Sequence, residues 1–85
     1  LTVISIRFFA ALRERAHLDS LSLDIGAELD LRTLVVMLGK RFGDDFAGAL
    51  AAPNIRVAVN HEFVSGQCTV RDGDEVAFMP PITGG

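Results

Sequence analysis

One helical stripe, Leu31, Leu34, Val35, Leu38 and Phe42, stands among several short segments whose apolar residues recur at every second position. A period of 3.6 gathers the first set onto one face of a helix, whereas a period of two gathers alternate residues onto one face of a strand. Residues 3–9 put Ile4, Ile6 and Phe8 on one side and Ser5, Arg7 and Phe9 on the other. Residues 20–25 set Leu21, Leu23 and Ile25 against Ser20, Ser22 and Asp24, a strand with one wet face. Ile55, Val57 and Val59 alternate with Arg56, Ala58 and Asn60. In the last such segment, Glu75 to Met79, Val76 and Phe78 point inward and Ala77 and Met79 outward. Residues 63–70 predict one or two short strands about a Ser65-Gly66 turn.

The signals between these segments fix where each ends. Asp30 is placed to cap the main helix, with Leu29 stapling onto Leu34 and Gly43 offering a left-handed stop. Gly39 costs that helix about 1 kcal/mol relative to Ala, so the helix depends on packing to persist. Residues 10–16 are rich in helix formers and predict a helix of about two turns. Residues 44–54 predict a further irregular or helical turn ending at Pro53-Asn54, and Asp72-Gly73-Asp74 predicts a turn. The order is strand, short helix, strand, long helix, strand, short strand, strand. With 85 residues there is room for one core. Burying both kinds of stripe calls for an α+β fold, with one main helix packed on one face of a mixed four- to five-stranded sheet. That is the ubiquitin-like β-grasp. The expected division is a domain over residues 1–79 and an extended, flexible C-terminal tail over residues 80–85.

Composition removes several classes of function. Apolar residues make up 49% of the chain, which suits a folded globule, yet no apolar run approaches the roughly 20 residues that span a bilayer. The opening residues alternate like a strand and show no basic leader. Eight basic residues against eleven acidic ones give a formal charge of −3, and the basic ones are scattered, so no nucleic-acid stripe exists. A weakly acidic body favours a partner with a positive surface. Cys68 is the sole cysteine, which rules out an internal disulfide and fits a reducing cytoplasm. His17 and His61 stand apart from other ligand types, so no metal-binding spacing exists. Ser65 has no triad context, and Asp72, Asp74 and Glu75 read as a turn rather than a calcium loop. No Gly-rich phosphate-cradling loop is present.

The last six residues, Pro80-Pro81-Ile82-Thr83-Gly84-Gly85, behave unlike the rest. Two prolines remove two backbone donors, end the strand and stiffen the first part of the tail. Two glycines then give a tip with no side chain, slim enough for a channel that would reject a β-carbon. Fully extended, the six residues reach about 20 Å. The one reactive group on such an arm is the α-carboxylate of Gly85, and capture of a C-terminal carboxylate by a partner's backbone is an established recognition mode.

The closing run Asp72-Gly73-Asp74-Glu75-Val76-Ala77-Phe78-Met79-Pro80-Pro81-Ile82-Thr83-Gly84-Gly85 resembles the C-terminus of the small, sulfur-carrying subunits of molybdopterin synthase. Arg7-Phe8-Phe9-Ala10-Ala11-Leu12-Arg13-Glu14 resembles that family's first strand and helix, and Ala58-Val59-Asn60 its third strand. Met79 departs from the pattern, standing where an aromatic is common, and residues 43–54 are individual in sequence. The resemblance implies that an adenylating enzyme, using ATP and Mg²⁺ that this chain does not itself bind, converts the Gly85 carboxylate to an acyl-adenylate. Sulfur from a persulfide donor then displaces AMP to leave a thiocarboxylate. It further implies a hetero-oligomer, a heterotetramer, with the synthase large subunit. There the sulfur is delivered to cyclic pyranopterin monophosphate in molybdenum cofactor biosynthesis, with no catalysis by the carrier alone.

Partner contacts are expected along the tail (Pro80, Pro81, Ile82, Thr83 and Gly84) and on the sheet face away from the main helix. Arg7, Phe9, Ala58, Asn60, Ala77 and Met79 belong to that face by alternation, and Phe9 and Met79 should meet as an exposed apolar patch at the tail root. Arg13, on the short helix, is a candidate rim contact. Three alternatives share the tail: a sulfur carrier for thiamine or cysteine biosynthesis, a ubiquitin-like modifier joined through Gly85 to lysines, and an interaction module with an idle tail.

Overall fold

The computed structural model describes residues 1–65 and 68–80. Its elements are β1 (Val3–Phe8), α1 (Ala11–Ala16), β2 (Ser20–Asp24), β3 (Leu29–Asp30), α2 (Leu31–Phe42), α3 (Asp44–Leu50), β4 (Arg56–Val59), β5 (Glu62–Val64), β6 (Thr69–Val70) and β7 (Glu75–Met79). Five strands form one sheet in the order β2-β1-β7-β4-β5, and β3 pairs with β6 in a separate two-stranded ladder. At the centre β1 and β7 run parallel, with Ile6 opposite Val76 and Phe8 opposite Phe78, while every other pairing in the sheet is antiparallel. This is the mixed five-stranded β-grasp sheet that the alternation predicts.

One face of the sheet meets the helices. Ile4, Ile6, Phe8, Val76 and Phe78 from the central strands are buried against Leu31, Leu34 and Leu38 of α2. Asp30 caps α2 as expected, its Oδ1 accepting the Thr33 N–H at 2.8 Å. The β3–β6 ladder was not legible beforehand, because two residues carry no period. It lies against the start of α2, where the Leu31 N–H donates to the Cys68 carbonyl.

The expectation of a single main helix is refined by α3, which sequence left as an irregular or helical turn. It buries Phe46 and Leu50. The Phe46 ring meets Phe8 edge-on at 5.2 Å and Phe42 at 5.1 Å, closing an aromatic cluster that Phe78 completes. Gly39, unfavourable by propensity, is what lets α3 approach: a β-carbon there would lie 2.7 Å from the Ala47 β-carbon. The clash would involve a group one bond from the backbone, so relief requires helix movement. Gly39→Ala should therefore destabilise the fold by about 1–2 kcal/mol, because overpacking outweighs the propensity gain. Urea unfolding measures this, and Gly39→Ala combined with Ala47→Gly should recover most of the loss.

Candidate functional site

The last described residue, Pro80, follows β7 directly and sits at the edge of a groove of about 730 Å³ on the helix-free face of the sheet. Phe9, Asn54, Arg56, Phe63, Met79 and Pro80 line it. The parallel β1–β7 pairing brings Phe9 and Met79 together, and the Phe9 N–H donates to the Phe78 carbonyl at 3.3 Å. Met79 lies opposite Arg56 on β4. The meeting of Phe9 and Met79 at the tail root, expected from alternation, is thus what the register produces, although both side chains are half-buried.

The large apolar side chain that this face exposes is Phe63 on β5, 61% exposed. Sequence reading missed it, because a three-residue edge strand gives too short a period to assign faces. The signal is its pairing: Phe63 lies opposite Ala58, which lies opposite Ala77, which lies opposite Arg7. All four therefore share one face. The Arg56 guanidinium stacks on the Phe63 ring, 4.3 Å from its centroid, and the Arg7 guanidinium lies 5.2 Å from the centroid of Phe9.

Of two other expected members of the face, Ala58 lies on it as alternation requires, and Asn60 needs correction. Ala58 is buried, 6% exposed, because a lone methyl group sits low between the larger Arg56 and Phe63 side chains flanking it. Asn60 is not a strand residue. With His61 it forms the two-residue β4–β5 turn, at φ of 52° and 71°, the paired left-handed conformation of a tight hairpin. Ala77 is half-buried in the row between Arg7 and Ala58, as alternation requires. Arg13 is exposed on α1 but is not among the residues lining the groove. Pro81, Ile82, Thr83, Gly84 and Gly85, together with the expected tail over residues 80–85 beyond Pro80, lie outside the described residues.

The turn at Asn60 anchors the start of β7. Its side-chain amide donates to Asp74 Oδ1 at 2.9 Å, its Oδ1 accepts the Glu75 N–H, and its backbone N–H donates to the Glu75 carbonyl. Asp74 Oδ2 also accepts the Arg71 N–H, and Asp72 accepts the Val3 N–H at 2.8 Å. The Asp72 and Asp74 carboxylates are thus engaged with the backbone of β1, the Asn60 amide and the backbone of their own turn, with Gly73 at φ 86°. His61 contacts Glu75 at 3.3 Å. Cys68 is a half-buried free thiol directed at the Thr69 carbonyl.

Ala10 also lines the groove, and there the chain leaves β1 with a φ of 53° that is rare for a residue with a β-carbon. This conformation turns the chain into α1 immediately after Phe9.

Residues 6–85 match the model of the ThiS family, and the chain belongs to that family. It is similar to the molybdopterin synthase sulfur carrier subunit of Haemophilus influenzae, 35% identical over 98% of this chain and all of that protein. Among solved structures, SAMP1 from Haloferax volcanii superimposes with a TM-score of 0.78 at 24% identity, covering 98% of this chain and 99% of that one. A chain in the complex of subunits 1 and 2 of the molybdopterin-converting factor from Helicobacter pylori gives a TM-score of 0.66 at 21% identity, covering 98% and 99%. Both structural likenesses show a common fold.

The carboxyl of Asp74 is held below its ordinary value, first by the Asn60 amide and then by the Arg71 N–H. Asp30 is held low chiefly by the Thr33 backbone N–H. A depressed carboxyl contributes its stability above the unfolded-state value near 3.9 and loses it as pH falls through the lower folded value. The urea midpoint should therefore fall as pH drops below about 4, and Asp30→Asn/Asp74→Asn should flatten that acid limb while leaving a lower midpoint at neutral pH.

Proposed function

We propose that this chain is the sulfur carrier subunit of a molybdopterin synthase, with the Gly85 carboxylate as its working group. The observation that carries the reading is the course of the last strand. β7 is clamped at its start by Asn60 and Asp74, ends beside an open apolar groove, and leads into Pro80-Pro81-Ile82-Thr83-Gly84-Gly85. The family match runs through Gly85, and the H. influenzae relative, covered over its whole length, is named for this role.

A carboxylate is a poor acyl donor because its oxygen leaves badly. Adenylation of Gly85 in a partner enzyme, at the expense of ATP and with Mg²⁺, replaces that oxygen with AMP as leaving group. Attack by the terminal sulfur of a persulfide displaces AMP and forms an acyl disulfide, and a second thiol of the partner then attacks the donor-side sulfur, ending in a disulfide with it and releasing the thiocarboxylate. Sulfur of this kind is ionised at neutral pH and nucleophilic. The tail, with Gly84 and Gly85 at its tip, then enters the large subunit, where cyclic pyranopterin monophosphate accepts the sulfur. Phe9, Met79 and Pro80 at the tail root, with Arg7 and Ala77 beside them and Arg13 at the rim, seat the carrier on that subunit in a hetero-oligomer. Catalytic groups and nucleotide belong to the partners, and the carrier contributes one delivered atom. No helix among the described residues is long and apolar enough to cross a membrane, and a cytoplasmic site of action accompanies the reading.

The intact mass of the chain after incubation with its activating enzyme, ATP and a sulfur donor should rise by the exchange of one oxygen for sulfur. Deletion of Gly85 should abolish the rise. An unchanged mass with an active enzyme would remove the carrier reading.

A further inference from the structure

The charged side chains of the sheet face nearest the tail root are Arg7 and Arg56, opposite in sign to the whole chain, while Glu75, opposite Ser5 nearer the start of β7 on the same face, contacts His61. The formal charge is −3, yet the side chains stacked on the two phenylalanines of this face are Arg7 and Arg56. Each guanidinium is exposed and lies within cation–π distance of a ring on its own face of the sheet, Arg56 at 4.3 Å from the Phe63 centroid. Stacking of this kind holds the planar group along the surface and leaves its N–H edge available to an acceptor. Among the described residues the ion pairs are His61 with Glu75 and Arg71 with Glu28, and neither includes these two arginines.

The consequence follows from the cost of desolvation. A partner that covers Phe63 and fills the groove beside Phe9 and Met79 takes water from both guanidiniums. A charge buried without an acceptor is strongly unfavourable, whereas carboxylates can receive a guanidinium through two parallel hydrogen bonds. We propose that the surface of the synthase large subunit that covers this face is apolar at its centre and carries carboxylates opposite Arg7 and Arg56. The inference rests on the sulfur-carrier reading and names the chemistry of its partner surface. It replaces the expectation, drawn from net charge, that the partner is positive: contacts within a Debye length are set by local charges rather than by the sum over the chain. A second copy laid face to face about a two-fold axis brings the same cationic set to both sides, which disfavours that occupant.

The test is binding of the cognate large subunit to the full-length chain, by calorimetry, with the chain alone followed by sedimentation equilibrium. Arg56→Glu should weaken binding about 10- to 100-fold, and Arg7→Glu/Arg56→Glu further, with Arg56→Lys between Arg56→Glu and the wild type. Raising the salt concentration should weaken the wild-type complex more steeply than that of Arg7→Gln/Arg56→Gln, a difference that a merely structural role for the arginines would not produce. Both side chains are exposed, and unchanged urea unfolding of the variants keeps the comparison on binding. Tight wild-type binding that is indifferent to charge reversal, or strengthened by it, overturns the inference and leaves the carrier reading standing. An arginine-dependent dimer of the chain alone assigns the face to a second copy and overturns it as well. No binding by the wild type removes the inference together with the reading on which it rests.

Discussion

The parallel ladder between β1 and β7 is the constraint from which the rest of the molecule hangs. It joins the first strand to the last, so the chain between them must leave the sheet, cross over and return. The long way round supplies α2 and α3 to one face and β4 to the far side of β7. Its register is enforced on both faces at once. Ile6 and Phe8 face Val76 and Phe78 in the core, and a slip of one residue would exchange them with Arg7, Phe9, Ala77 and Met79. The same pairing that buries the core therefore assembles the groove and sets Pro80 at its edge.

Two local devices hold that ladder in place. At its start, the Asp72-Gly73-Asp74 turn binds Val3 and Ser5 of the first strand through Asp72 Oδ1, the Val3 carbonyl and the Asp74 carbonyl. Asn60 reaches across from the β4–β5 turn to bind Asp74 and Glu75. At the other end, Phe8 and Phe78 pack with Phe42 and Phe46, so the helical layer grips the strands where the tail departs. A tail that must insert elsewhere needs a fixed root, and hydrogen bonds at one end of β7 with aromatic packing at the other supply it.

Charge acts on a shorter scale than the sum over the sequence suggests. Eleven acidic residues outnumber eight basic ones, but many acidic groups are engaged in caps and turns, as Asp30, Asp72 and Asp74 show. Arg7 and Arg56 instead lie on phenylalanine rings of the open face. Alternation put Arg7 on that face. The β4–β7 register puts Arg56 there, and nothing in the sequence brings Phe63 beneath it, because that contact crosses from β4 to an edge strand of three residues.

The strands of the main sheet, the capped main helix, the Asp-Gly-Asp turn and the end of the last strand at Pro80 were legible in the sequence. Each rests on local chemistry: side-chain period, a capping carboxylate, a glycine at positive φ, prolines that end a strand. Phe9 and Met79 were also placed correctly, since the alternation of two strands and a known neighbour relation suffice. What needed the tertiary structure were properties of pairs distant in the chain. Gly39 reads as a weakness until Ala47 is seen against it, and the burial of Ala58 on the open face appears only with Arg56 and Phe63 beside it. Asn60 reads as strand until its positive φ shows a turn, and Phe63 has no assigned face until it pairs with Ala58. Sequence determined which residues could turn inward and where the elements stop, because those preferences act over a few bonds. Only the folded chain decided which residues of neighbouring strands meet across the open face, because registry between strands is set by the packing of the whole core.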